Sequence, residues 1–382
     1  MAKASPTKTD EAAPVINPAQ QAMSYLKANK TDHYNFEETV TDFTRSSSLG
    51  LTGTMEGGIQ PGAHRAVGIT TGGKTSCTLD FMYHFLKNSA KGKRGVYVRA
   101  EGRLSPDVMA RSGITFVTDP EQWVDGTCFI LESNVFEMVF GFMGEIIRNN
   151  PTKTRYFFII DSMDMMAKKA DLEKGLEDAA QVAGGALITS VFLKKTSTAL
   201  AKRGHICWFI SQVREAIRIG NGPAGPPRQG NSSGGHAMEH AGDWVLEFLP
   251  RWKDDIIREN PADPKSKPIG HMCKVRIIKS NNETYGQEVE YPIKYGRKNA
   301  SSVWVEREIG DLLLQWELVD KKGSWLSVNS NVLAAIKKAT GVDFAEKVQG
   351  VNALYDALEI EPKVVAFLYD RALAGTLMDL KV

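Results

Sequence analysis

The chain has 382 residues, 42% of them hydrophobic, and a formal net charge of +2. That length admits one large domain with additions or two domains, with enough apolar material for a sizeable core. The near balance of charge excludes holding a polyanion by bulk charge, so a nucleic-acid partner has to be gripped by local basic loops.

The four cysteines, Cys77, Cys128, Cys207 and Cys273, are far apart, form no C-x-x-C pair and mostly sit inside apolar runs. This usage fits reduced thiols acting as small hydrophobes in an intracellular protein. The N-terminus has no apolar signal core and no stretch reaches the length of a membrane span, so a soluble cytoplasmic protein without a membrane partner is expected.

Residues 1–18 are polar and aperiodic, which predicts disorder. Residues 20–30 place Met23 and Leu26 at helical spacing, a short helix that needs something to pack on. A turn-rich stretch over 46–62 leads into the strand ending Arg65-Ala66-Val67. Residues 68–75 then fit G-x-x-x-x-G-K-[ST] without a mismatch. Gly68, Gly72 and Gly73 let backbone N–H groups turn inward around phosphates, Lys74 supplies a point charge, and the Thr75 hydroxyl suits Mg²⁺. Ser76 opens a helix running to about residue 86, whose N-terminal dipole favours the same anion. A chance Gly-rich turn is the competing explanation, and the strand before and helix after the motif weigh against it.

Next come the apolar run Gly95–Val98, a helix over 105–112 with Ser105 as N-cap and Pro106 at N1, and the run 114–117. Strands alternating with helices predict an α/β fold with a mostly parallel sheet. An amphipathic helix over 134–149 precedes Arg155–Ser162, a continuous apolar strand ending in Asp161. A carboxylate at that edge lies beside the phosphate loop, where it can hold a Mg²⁺-bound water, although an Asp there can also cap the next helix. A helix over 185–203 leads to another apolar strand, ending in Gln212, so three strands end in Glu101 (after a short gap), Asp161 and Gln212.

Two aperiodic stretches read as functional loops. Residues 167–180 carry Lys168, Lys169 and Lys174 against four acids. Residues 213–235 carry Arg214, Arg218 and Arg228 with a single Glu215 and no aromatic residue, a composition suited to phosphate contacts on single-stranded DNA or to a solvated surface or interface loop. Residues 252–268 predict an exposed hairpin, Lys274–Lys279 and Glu288–Tyr291 alternate as antiparallel strands, and Ser330 caps the first of several C-terminal helices.

Taken together, these residues resemble the RecA family of strand-exchange recombinases and, more loosely, its phage UvsX-type members. The landmarks are the phosphate loop, Tyr97 to Pro106 around Glu101, Ile160-Asp161-Ser162, Ile210-Ser211-Gln212-Val213-Arg214, Gly234-Gly235-His236-Ala237, and the Gly310-Asp311-Leu312-Leu313 and Gly323-Ser324-Trp325 segments. The resemblance spans roughly residues 46–326. It implies a RecA-like P-loop ATPase core over 46–328, an N-terminal polymerisation segment over 1–45 and a small helical C-terminal domain over 329–382. It also implies Mg²⁺ and ATP as cofactors, single- and double-stranded DNA as partners, and a homo-oligomeric helical filament in a bacterial or phage-infected cell. By the same resemblance Glu101 orients the attacking water, Gln212 senses the γ-phosphate, and Lys279 reaches the ATP of a neighbouring subunit. Asn281 stands where the family usually carries a second lysine, which leaves the contact from the neighbour to Lys279 or Arg276, and Ser105 stands where it carries an adenine-side acid. A hexameric helicase motor and a non-catalytic ATP-binding mediator are the other readings.

Overall fold

The computed structural model describes residues 17–88, 91–102, 104–173, 184–212, 238, 241–298 and 301–381. These fall into two units, one ending at Glu38 and one beginning at Thr39. In the first, helix α1 (Pro18–Ala28) starts where the Asn17 side chain accepts from Ala19 N–H and Pro18 occupies the first turn. None of its residues is buried, and Met23 and Tyr25 stand exposed.

The second unit begins with helix α2 (Leu49–Thr54) and is built on a ten-stranded sheet. Its strands are β1 (Gly62–Gly68), β2 (Lys93–Arg99), β3 (Thr115–Val117), β4 (Thr127–Leu131), β5 (Arg155–Asp161), β6 (Ile206–Gln212), β7 (Trp244–Phe248), β8 (Ile256–Arg258), β9 (Pro268–Lys279) and β10 (Glu288–Lys294). Their order is β10-β9-β7-β1-β6-β5-β2-β4-β3, with β8 on β9. The pairs from β7 to β3 are parallel, whereas β9 runs antiparallel to β7, β8 and β10. The mostly parallel sheet, its antiparallel edge and the hairpin beyond residue 252 agree with the sequence pattern. Strands β4 and β7 are additions to it.

The central strands are apolar throughout because both of their faces are covered. Helix α3 (Lys74–Lys87) lays Phe81 on Trp208, with ring centroids 5.7 Å apart, and Phe85 on Phe157 at 5.4 Å. All four rings are fully or almost fully buried, and each such side chain stabilises the fold by roughly 1.5–3 kcal/mol. This packing holds the start of α3 at the carboxyl edge of the sheet. Further along, α4 (Pro106–Ser112) carries the Ser105 cap, whose hydroxyl accepts from Val108 N–H. Helices α5 (Phe136–Arg148) and α7 (Gly184–Lys202) pack together through stacked Phe140 and Phe192, with the short α6 (Lys169–Leu172) between them in sequence.

The C-terminal part is not purely helical. A three-stranded antiparallel sheet, β11 (Val319–Lys322), β12 (Trp325–Val328) and β13 (Lys347–Gln349), lies with α8 (Val305–Gln315), α9 (Ser330–Thr340), α10 (Val351–Ile360) and α11 (Pro362–Leu373). Strands of three or four residues are too short to display an alternating pattern, which is why helices alone were legible there. A second apolar cluster of Leu49, Ile309, Leu313, Leu326, Val332, Leu354 and Leu368 stands behind these elements. Because β12 ends at Val328 and its partner β13 comes later, the expected boundary at 328/329 runs through one sheet.

Candidate active site

Strands β1, β6, β5 and β2 end side by side. Gly68 is level with Gln212, and Arg99 is level with Asp161. The phosphate loop leaves β1 at Gly68, whose φ is 142°. A Cβ there would meet the Phe248 carbonyl oxygen at 2.3 Å, so the position requires glycine. Gly73, at φ 107°, caps α3 from the left-handed region with no side-chain acceptor. The first N–H groups of α3 are therefore left for an anion.

Lys74 is buried and donates to the Gly68 and Ile69 carbonyls at 2.9 and 2.6 Å. Burial pushes its ammonium pKa down, while the facing carboxylates of Asp161, Asp164 and Glu101 pull it back up. The Thr75 hydroxyl donates to Asp161 Oδ2 at 2.7 Å, and the Tyr97 hydroxyl donates to the same oxygen at 2.7 Å. Burial raises the Asp161 carboxyl, partly offset by those two donors. A hydroxyl against a carboxylate is a hard-oxygen pair that fits Mg²⁺, as the cradle of N–H groups and Lys74 fits a polyphosphate.

Past β2, the N–H groups of Ala100 and Glu101 both donate to Asp161 O, at 3.0 and 3.2 Å, which fixes where Glu101 starts. The peptide between Asp161 and Ser162 is cis. Ser162 Oγ donates to Glu101 Oε2 at 2.6 Å, and Gln212 Nε2 donates to Glu101 Oε1 at 3.4 Å. Glu101, Lys74, Thr75, Asp161, Gln212, Ser76, Gly72 and Gly73 thus share one cleft of about 750 Å³. Two arginines also line it beside the phosphate loop: Arg111, which donates to Ser76 Oγ at 3.4 Å, and Arg251, which donates to Thr71 O at 3.1 Å and to the Tyr295 hydroxyl at 3.2 Å.

Lys279 is not brought to this cleft. Val275 is level with Phe248 and hence with Gly68, and Lys279 lies four residues further along β9, roughly 13 Å at the usual strand rise. Arg276 is engaged with Glu247 and Glu288. Of the expected DNA contacts, Lys168 is half-buried just before α6, and Lys169 is exposed with its backbone N–H on Glu137. Lys174, Arg214, Arg218 and Arg228 lie outside the described residues, as do Gly234 to Ala237 and the N-terminal stretch expected to be disordered up to residue 16. No sequence pattern assigns a role to Tyr97, Asp164, Arg251 or Tyr295. Tyr97 sits in an apolar run that reads as core, and the other three lie in turns or strand ends without a motif.

Comparison with known families decides the class. The model of the RecA N-terminal domain matches residues 33–299, which include all the cleft residues named for the phosphate loop, the water and the cation. The chain belongs to the RecA family. Similar proteins include the RecA protein of Rickettsia canadensis (strain McKiel), 27% identical over 316 residues, covering 80% of this chain and 79% of that one. That of Rickettsia prowazekii (strain Madrid E) is 27% identical over 282 residues, covering 74% and 72%. The RecA protein of Leptospira biflexa serovar Patoc is 25% identical over 279 residues, covering 73% and 64%. As a RecA-family chain it is an ATP-binding, DNA-binding ATPase of recombination and repair. No helix among the described residues is long and apolar enough to cross a membrane.

Proposed function

We propose that this RecA-family chain is an ATP-dependent recombinase that assembles as a helical filament on single-stranded DNA and pairs it with homologous double-stranded DNA. The observation that carries this reading is the arrangement of Glu101, held between Ser162 and Gln212, across the cleft from Lys74 and Thr75. Bound ATP with Mg²⁺ supplies the scissile phosphoanhydride and a counter-charge for it. Thr75 and Asp161 would hold the metal, while the loop N–H groups from Gly68 to Ser76 and Lys74 would hold the phosphates. Glu101 orients the attacking water and takes its proton, a task that needs position more than basicity in phosphoryl transfer. Gln212 reads the terminal phosphate and is the last residue before the 213–235 segment.

Charge compensation is completed by Lys279 of a neighbouring protomer, since Lys279 stands well away from the cleft of its own chain. Lys168, Lys169, Lys174, Arg214, Arg218 and Arg228 contact DNA phosphates, and a filament sums these weak contacts, which is how a nearly neutral chain grips a polyanion. Such a protein works in the cytoplasm of a bacterial or phage-infected cell. The test is ATP hydrolysis with and without single-stranded DNA, alongside joint-molecule formation between a single strand and homologous duplex. Stimulated hydrolysis with joint molecules is expected. Forked-duplex unwinding without pairing would replace the reading with a helicase, and nucleotide binding without turnover would replace it with a mediator.

A further inference from the structure

Asp164 lies in the one-turn 3-10 helix Met163–Met165 directly after β5. Its Oδ2 accepts from the backbone N–H of Gln212, the last residue of β6, at 2.6 Å. The Gln212 side chain reaches Glu101 Oε1, and Glu101 Oε2 accepts from Ser162, which is two residues before Asp164 in the chain. The contacts therefore close into a ring: Glu101 to Ser162, along the backbone to Asp164, across to Gln212, and back to Glu101. Both of Gln212's links end on a carboxylate, and length separates them: at 2.6 Å the Asp164–Gln212 link is the firm side of the ring, and at 3.4 Å the Gln212–Glu101 link is the loose one. The two aperiodic segments of the sequence, the charge-balanced one from residue 167 and the basic one from residue 213, begin next to it.

Resting on the function proposed above, we infer that Asp164 is the positioning residue that couples the nucleotide cleft to both DNA-contacting segments. When the Gln212 side chain leaves Glu101 for a terminal phosphate, its N–H stays tied to Asp164, so the 163–165 turn moves with it. Without that tie, Gln212 is free to respond to nucleotide alone, and the turn ahead of residue 167 is not informed. Asp164 acts through Gln212 and not on the reacting atoms. It also faces Lys74 alongside Asp161 and Glu101, so removing its charge cannot weaken the hold on an anion by electrostatics.

The experiment measures the affinity of a labelled oligothymidylate with and without Mg²⁺ and a hydrolysis-resistant ATP analogue, and the affinity of the analogue with and without the oligonucleotide. Linkage makes the two coupling factors equal. Asp164→Ala is expected to lower that factor about fivefold or more, a size typical of coupling between sites, with analogue affinity in the absence of DNA unchanged or higher. Asp164→Asn, which keeps an acceptor for Gln212 N–H, is expected to fall between the two. A wild-type coupling factor in Asp164→Ala overturns the inference, as does a parallel loss of analogue affinity without DNA, which would mark plain distortion of the cleft. A wild-type protein with no coupling at all overturns the proposed function, and the inference with it.

Discussion

Lys74 sits where two demands meet. Without an anion its ammonium is satisfied by the Gly68 and Ile69 carbonyls, at the cost of burial that lowers its pKa. A bound polyphosphate relieves that burial by matching charge with charge. Lys74→Ala is therefore expected to cut ATP turnover by about a hundredfold or more, the scale of losing one preorganised electrostatic contact, as measured by phosphate release. Glu101→Gln separates the next step. The amide keeps an acceptor for Ser162 but cannot take a proton, so nucleotide affinity should hold while turnover falls by roughly 10²–10⁴. Unchanged turnover in that variant would remove Glu101 from the chemistry. Residues such as these were legible because polar side chains ending apolar strands have few structural reasons to be there, and the loop motif has a strict spacing. Tyr97 and Ser162 were not, because their part in holding Asp161 and Glu101 depends on which strands are neighbours. That is information the parallel order β6-β5-β2 carries and no local pattern does.

The elements impose their own requirements on these side chains. Gly68→Ala would set a Cβ 2.3 Å from the Phe248 carbonyl oxygen at a φ of 142°. The change should cost roughly 1–3 kcal/mol of backbone strain or more, seen as a lower melting temperature together with weakened ATP binding. The middle of α3 is tied to a serine strap. Asp80 accepts from Ser46 Oγ, Ser47 N–H and Ser47 Oγ, and the neighbouring Glu308 of α8 accepts from Ser48 Oγ, Gly50 N–H and Leu49 N–H. Burial pushes Glu308 from its ordinary 4.5 up to about 7 despite those three donors. The folded state thus holds a proton there that the unfolded chain releases, so stability falls as pH rises from about 4.5 to about 7 and stays lowered above. The sum is on the order of 3 kcal/mol. Glu308→Gln keeps one acceptor and removes the titration, so its stability relative to wild type should improve from pH 5 to pH 8 in thermal unfolding. A pH-independent difference would place the titration elsewhere. The sequence showed the long strands and helices by their periodicity. It hid β4 and β7, whose five residues carry no alternation, and the strap, which looks like a polar turn until Asp80 and Glu308 are seen to meet it.

At the scale of the whole molecule the question is what stands opposite the cleft. Lys279 stands four residues along β9 from the level of the phosphate loop, and α1 leaves Met23 and Tyr25 exposed. If Lys279 acts on the nucleotide of the next protomer, every working site needs Lys74 from one chain and Lys279 from another, joined head to tail as a filament joins them. Lys74→Ala and Lys279→Ala should then each be inactive alone. Mixed in equal amounts, they leave a site intact wherever a chain with Lys74 meets a neighbour with Lys279, which random order makes about a quarter of the sites in a heterologous assembly. Single-stranded-DNA-stimulated ATP hydrolysis in the mixture should recover toward that fraction of wild type. A mixture as silent as its components would place Lys279 outside the shared site, and a Lys279→Ala protein with full activity would do the same without any mixing. Recovery requires that the chains intermix, so the two variants should be combined before DNA is added, when the interfaces are still open to exchange.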